Sequence, residues 1–226
     1  GVKQLGWLIL RHFHKPSRAV MVPTQRVADE LASWGFRNLK VWTRGVDRSL
    51  FRPYGEDVLG YPRPILLYAG RLAVEKGIED FLRLDLAGTK LVVGDGPARQ
   101  SLAAAFPEAV FIGYKHGEDL ARHVAASDVF VFPSRTDTFG LVLLEAMAAG
   151  TPIVCSDIHG YKGVVRRGRE GLLVPPREPK ELAVAIDRLL RDQALRDQMG
   201  AAGRERAEEF SWPRVTAKVE DYYGFV

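Results

Sequence analysis

Ser127–Asp157 reads SDVFVFPSRTDTFGLVLLEAMAAGTPIVCSD, and its punctuation predicts strand, loop, helix, strand. Asp128–Phe132 is a short apolar run stopped by Pro133, the pattern of a buried parallel strand. Thr138 is placed to cap a helix over Gly140–Ala149, Gly150 ends it, and Ile153–Cys155 begins the next strand. Strand end and helix N-terminus therefore meet at Arg135–Gly140, where free amides and the helix dipole favour an anion. Asp137 precedes the helix and Glu145 follows eight residues later, about one residue step from a common helical face. Carboxylates beside an anion site repel the anion unless they serve another part of the ligand, and sugar hydroxyls are such a part. The plainer alternative is a dipole-favoured Asp and a solvated Glu.

With 226 residues, 46% of them apolar, the chain has room for one full domain plus part of another, and for a sizeable core. Its one cysteine, Cys155, falls in an expected strand, which excludes a disulfide within the chain and suits a reducing compartment. The apolar run Leu5–Leu10 is far too short to cross a membrane. The first residue is Gly1 and not Met, which suggests a processed or truncated chain. Residues 1–52 hold ten Lys/Arg and three acids, a net +7 within a total of +4. A basic end of this kind suits an anionic surface, and equally an ordinary solvated face. No zinc-finger spacing, recognition-helix signature or basic-aromatic interleaving points to nucleic acid.

Outside the opening stretch, expected strands are Arg18–Pro23, Leu39–Thr43, Ile65–Ala69, Lys90–Val93, Val110–Ile112 and Leu172–Val174. Expected helices are Thr24–Gly35, Ile78–Leu86, Ala98–Ala105, Glu118–Ala126, Glu181–Leu190 and a tail over Gln193–Tyr223 broken at Ser211–Pro213. Alternation of this kind means an α/β fold: a Rossmann-like parallel sheet with helices on both faces. The Gly-, Pro- and charge-rich run at 44–64 is the expected linker.

In such a sheet ligands sit beyond the C-terminal strand ends. After Ile65–Ala69 comes GRLAVEKG, whose Arg71 and Lys76 suit a diphosphate, Arg as a fork and Lys as a point charge, or else a charged surface loop. After Lys90–Val93 comes GDGP with Asp95 and Gly96, a tight turn open to ligand approach. After Val110–Ile112 comes GYKHG, where Tyr114 is either a platform for a base or a packed surface ring. There is no G-x-S-x-G, Walker loop, G-x-G-x-x-G, H-E-x-x-H or D-x-D. His12, His14, His116, His123 and His159 show no metal-ligand spacing, so no metal and no cofactor is expected.

GRLAVEKG, VVGDGP, PSRTDTFGLVLLEAMAAGTPIVCSD and GREGLLVPP, in that order, resemble the C-terminal half of a GT-B retaining glycosyltransferase of family 4. The nearest likeness is to GDP-mannose-dependent α-mannosyltransferases and sulfolipid-forming enzymes. The resemblance covers about Phe13 to Tyr223. It implies 1–43 as a remnant of an N-terminal Rossmann-like acceptor domain, 44–64 as linker, 65–210 as nucleotide-sugar domain and 211–226 as a helix returning to the first domain. It implies that Arg71 and Lys76 hold the diphosphate, and that Thr138, Phe139, Gly140 and Leu141 offer amides to phosphate and sugar. By the same likeness Glu145 meets the ribose and Asp137 is the catalytic-site acid on a sugar hydroxyl, one carbon shorter than the family's usual Glu. Asp95, Gly96 and Tyr114 align loosely near the base. The implied function is transfer of a hexose, mannose first, from a nucleotide-diphosphate sugar to a hydroxyl acceptor. The alternatives are an isolated nucleotide-sugar-binding fragment and, third, a GT-B epimerase or phosphorylase. A cytoplasmic location is expected, with contact to the inner membrane face, a lipid-linked acceptor and self-association through 1–43 left open.

Overall fold

The computed structural model describes residues 2–55, 59–161 and 163–224. By internal contacts the chain divides into two units, 1–45 with 212–226, and 46–211.

In the first unit, α1 (Val2–His14) precedes β1 (Val20–Val22), α2 (Gln25–Ser33) and β2 (Leu39–Val41). The two strands pair in parallel from Val20–Leu39 to Val22–Val41. Thr24 caps α2, its hydroxyl accepting from the Val27 amide at 3.3 Å, which satisfies one orphan donor of the first turn. The helix α1 was absent from the expected elements. It is held by Trp7, whose ring stacks on Trp34 at 5.7 Å and meets Phe36 edge-on at 6.1 Å. The final helix, α9 (Trp212–Tyr223), belongs to the same unit, and its Tyr222 hydroxyl donates to the Val41 carbonyl at 3.1 Å. Pro213 sits in its first turn, where a missing N–H costs no bond.

The second unit carries β3 (Ile65–Ala69), α3 (Ile78–Leu82), β4 (Thr89–Val93), α4 (Arg99–Ala105), β5 (Val110–Gly113), α5 (Gly117–Ala125), β6 (Val129–Phe132), α6 (Leu141–Ala149), β7 (Ile153–Ser156), β8 (Gly171–Val174), α7 (Pro179–Arg191) and α8 (Gln193–Glu208). Its strands run parallel in the order β5-β4-β3-β6-β7-β8. The chain builds outward from β3 through β4 to β5, then crosses to β6 and builds the other way. Right-handed crossovers in opposite directions place helices on opposite faces. Packing agrees: α3 meets α7, while α6 meets α5 and α8. The fold class is the expected Rossmann-like α/β sheet. Strands β3, β4, β6 and β7 are buried end to end, which explains the uninterrupted apolar runs of β3 and β6 and leaves only Thr89, Lys90 and Ser156 polar at the ends of β4 and β7.

Three expectations need correction. The run expected as linker is part of the second unit from Val46 onward: Val46 and Phe51 are buried, and the Val46 amide donates to the Phe210 carbonyl at 2.9 Å. Its Gly and Pro mark irregular backbone, and its apolar residues anchor it. Residues 56–58 of that run, like residues 1 and 225–226, lie outside the described ones. Second, α3 stops at Leu82 and not Leu86, because the Lys90 ammonium takes up the carbonyls of Leu82 and Leu84 and closes the turn. Third, α6 begins at Leu141, as set out below.

The α6–α8 contact depends on small residues. A Cβ on Gly200, in the middle of α8, would stand 2.2 Å from the Gly150 carbonyl oxygen. Glycine costs a helix interior about 1 kcal/mol against alanine, so Gly200→Ala should stabilise α8 taken alone. The backbone clash outweighs this, and Gly200→Ala is expected to destabilise the fold by about 1–3 kcal/mol. Urea unfolding checks it, and an unchanged or raised midpoint would contradict the packing argument.

Candidate functional site

The strand order turns back between β3 and β6, and the loops that follow these neighbours diverge to opposite faces. A crevice opens there beyond the strand ends. It forms a cleft of about 650 Å³ whose walls include Arg71, Lys76, Asp95, Tyr114, His116, Leu141 and Glu145, closed on one side by Leu50 and Phe51. Of the expected site residues, six therefore share one cleft. Asp137, Thr138, Phe139, Gly140 and Gly96 are not in its walls; they shape its loops.

The β3 loop is set by Tyr68, a buried ring stacked on Phe132 at 5.6 Å, whose hydroxyl donates to the Arg71 carbonyl at 3.0 Å. Burial pushes that phenol well above its ordinary range, so it remains a donor at neutral pH. The Arg71 side chain is exposed and makes no hydrogen bond with another described residue. Lys76 lies 5.8 Å from the Phe132 ring centroid, with its ammonium 3.2 Å from Asp137 Oδ2 and 3.4 Å from the Thr136 carbonyl.

Asp137 is the hub of the β6 loop. Its Oδ1 accepts from the amides of Phe139 and Gly140, each at 3.2 Å; its Oδ2 accepts from Lys76 and, at 3.4 Å, from the Tyr161 hydroxyl. Burial pushes its carboxyl upward, but these amides and the ammonium together outweigh burial and hold it below the usual carboxylate range. Two expectations fail here. Thr138 is exposed and caps nothing; the N-cap of α6 is Gly140, with no side-chain cap, and Asp137 holds the amides of the loop just before it. Asp137 and Glu145 share no helical face, since Gly140 at φ +80° is left-handed and ends the helical frame between them. A side chain at Gly140 would also meet the Tyr161 ring at 2.8 Å. The amides of Phe139 and Gly140 are thus occupied by Asp137, and those of Leu141 and Val142, with no partner among the described residues, point the first turn of α6 at the cleft.

Glu145, five residues into α6, has no hydrogen-bond partner among the described residues. Burial raises its carboxyl to about 7. Asp95 is turned toward its own loop, accepting from the Gly96 amide at 2.7 Å and from Arg99 at 3.0 Å. Tyr114 is exposed, near-parallel to the His116 ring at a centroid distance of 6.0 Å. Sequence reading missed His116, Tyr161 and the pair Arg135–Asp80. Only His116 had a local signal, its place in GYKHG; Tyr161 lies 24 residues from its partner. A second hollow, about 560 Å³, surrounds Lys90 at the opposite end of the strands, where that ammonium closes α3.

A parallel sheet with cations, a helix N-terminus and an unpartnered carboxylate around one crevice gathers the groups that an anionic, hydroxyl-bearing ligand would use. A family model described as Glycosyl transferases group 1 matches residues 63–192. The chain is 31% identical to sulfoquinovosyl transferase SQD2 of Arabidopsis thaliana, over 95% of this chain and 46% of that protein. It is 32% identical to the GDP-mannose-dependent alpha-mannosyltransferase of Mycobacterium tuberculosis, over 96% of this chain and 59% of that one. Among solved structures, sucrose-phosphate synthase from Thermosynechococcus elongatus superposes with a TM-score of 0.85 at 28% identity, over 96% of this chain and 60% of that one. Anabaena Alr3699/HepE in complex with UDP superposes at 0.88 and 21% identity, over 99% and 68%, a likeness of fold. The chain belongs to the group 1 glycosyl transferases. It spans about half the length of the curated relatives it matches.

Glu145 makes the stability of the ligand-free chain pH-dependent. Its folded value near 7 lies above the ordinary 4.5, so the folded state holds its proton where the unfolded state has lost it. Stability falls as pH rises from about 4.5 through 7, by roughly 3 kcal/mol. Glu145→Gln is expected to be near neutral at pH 5 and stabilising at pH 8. Urea unfolding at both values checks this, and the same difference at both would refute it.

Proposed function

We propose that this chain is the donor-binding half of a retaining hexosyltransferase, which moves a hexose, mannose by preference, from a nucleoside-diphosphate sugar to a hydroxyl acceptor. One observation carries the reading: an unpartnered carboxylate, Glu145, shares a single cleft with Arg71 and Lys76. Cations alone suit any anion; a carboxylate beside them requires a ligand that also presents hydroxyls. The relatives named for a GDP-mannose-dependent mannosyltransferase and a sulfoquinovosyl transferase support a sugar-diphosphate donor.

In this reading the Arg71 fork and the Lys76 ammonium take the diphosphate, joined by the amides of Leu141 and Val142. As the sugar–oxygen bond breaks, negative charge grows on the departing diphosphate, and these groups stabilise it most at that point. Glu145 accepts from ribose hydroxyls, most strongly in its ionised form. Asp137, ionised through neutral pH, meets a sugar hydroxyl. Tyr114 and His116 face the base. A second reading, donor binding without transfer by this chain alone, is favoured by its coverage of 46% and 59% of those relatives. Exposed Leu5, Leu8, Ile9 and Phe13 on the basic first unit support self-association through 1–43 or contact with an anionic, lipid-bearing surface.

Calorimetry with GDP, UDP and GDP-mannose tests the donor site. Arg71→Ala and Lys76→Ala should each weaken diphosphate binding by roughly 1.5–3 kcal/mol, as befits a charged hydrogen bond; unchanged binding in both removes the assignment. The two acids should separate. Glu145→Gln is expected to weaken GDP and GDP-mannose alike, and to abolish the rise in affinity between pH 6 and 8 that its ionisation brings. Asp137→Asn keeps an oxygen for the amides of Phe139 and Gly140, so it should spare GDP and weaken GDP-mannose. Equal losses for both ligands in both variants would end this division of roles.

A further inference from the structure

The loops after β3 and β6 carry Lys76 and Asp137 on the two sides of the crevice, so their spacing sets the width of the anion site. Three ties join them. Lys76 reaches across to Thr136 O and Asp137 Oδ2. The Arg135 amide donates to the Glu75 carbonyl at 3.0 Å. The Arg135 guanidinium, through Nη2, holds both carboxylate oxygens of Asp80 on α3, at 3.1 and 3.0 Å, with both side chains largely shielded from water. The first tie is made by the residue that a phosphate recruits. Once Lys76 turns to the ligand, the Arg135 ties are what remains.

A second observation concerns cost. Arg135 Nε is the one buried side-chain nitrogen or oxygen without a hydrogen-bond partner among the described residues. It lies by a cavity of about 220 Å³ walled mainly by apolar residues, Ile78, Leu102 and Phe106 among them, with Glu79 and Ser101 its other polar members, so an apolar side chain has room there. A buried donor left unpaired destabilises a fold, and such a group calls for an explanation outside stability.

We infer that Arg135, acting through Asp80, is a positioning residue for diphosphate binding: it keeps the Lys76 loop and the Asp137 loop at their spacing when Lys76 leaves Asp137 for the ligand. This rests on the donor-site reading above. The double variant Asp80→Leu/Arg135→Met removes both charges, orphans neither and suits the apolar walls. Its unfolding midpoint should be unchanged or raised, while its affinity for GDP and UDP falls about tenfold by calorimetry. Arg135→Lys, which keeps the charge opposite Asp80, should restore affinity to within about threefold of the parent. Arg71→Ala is measured in parallel. If Arg71→Ala weakens binding and the double variant does not, the positioning role is overturned and the donor site stands. If affinity falls only in step with the unfolding midpoint, Arg135 belongs to the fold, and the inference is likewise overturned. If neither variant weakens binding, the donor site fails and the positioning role with it.

Discussion

Strands β3 and β6 come from segments more than sixty residues apart, yet they pair side by side at Leu66–Val129 and Leu67–Phe130. Everything at the site follows from this pairing. Because the chain leaves β3 toward one edge of the sheet and β6 toward the other, the two following loops separate, and neither helix can cover the gap between them. The gap receives cations from the β3 loop and an uncapped helix start from the β6 loop. The apolar strands beneath are fully buried, which gives the loops a rigid base. A crevice of this kind is a by-product of topology; its chemistry is supplied by residues that the core does not need.

Those residues are held at a cost to stability. Glu145 is kept in a site that resists its ionisation, without a hydrogen-bond donor to compensate. Arg135 leaves a buried donor unpaired. Arg71 is bound to nothing among the described residues. Around them, saturated groups do the structural work: Tyr68 on the Arg71 carbonyl, Lys90 on the end of α3, and Glu170 buried against the Arg166 amide and guanidinium. The distribution separates two uses of polar atoms. Satisfied ones secure loops, whereas the unpartnered Arg71 and Glu145 line the cleft, where a ligand can complete them, and Arg135 Nε lies by a separate cavity.

The alternation of strand and helix was legible because buried parallel strands write uninterrupted apolar runs, and Ile65–Ala69 is bounded as expected. The site loops were legible because GRLAVEKG, GDGP and GYKHG all follow such runs. What sequence concealed was non-local. Lys90 shortens α3 from the next strand, Phe51 turns an apparent linker into a cleft wall, and Tyr161 reaches Asp137 across a crossover. The capping of α6 was misread for a local reason. Thr138 is a good cap by residue type, but the left-handed Gly140 is itself the N-cap, so α6 starts without a side-chain cap and Asp137 is left to hold the loop before it.

That arrangement constrains what Asp137 does. A carboxylate on a single methylene can hold the amides two and three residues on, and doing so ties it to its own loop. A Glu at this place would carry its carboxylate farther from the backbone and lose that grip. Asp137 therefore serves two needs with two oxygens: Oδ1 maintains the loop, and Oδ2 is shared between Lys76 and Tyr161. Only Oδ2 is available to a ligand, and only as Lys76 yields it. Diphosphate and sugar are thereby coupled in the proposed donor site. A phosphate that draws Lys76 away frees the carboxylate oxygen that a sugar hydroxyl then meets, so a donor carrying both groups engages both residues at once, where a bare diphosphate leaves Asp137 Oδ2 with Tyr161 alone.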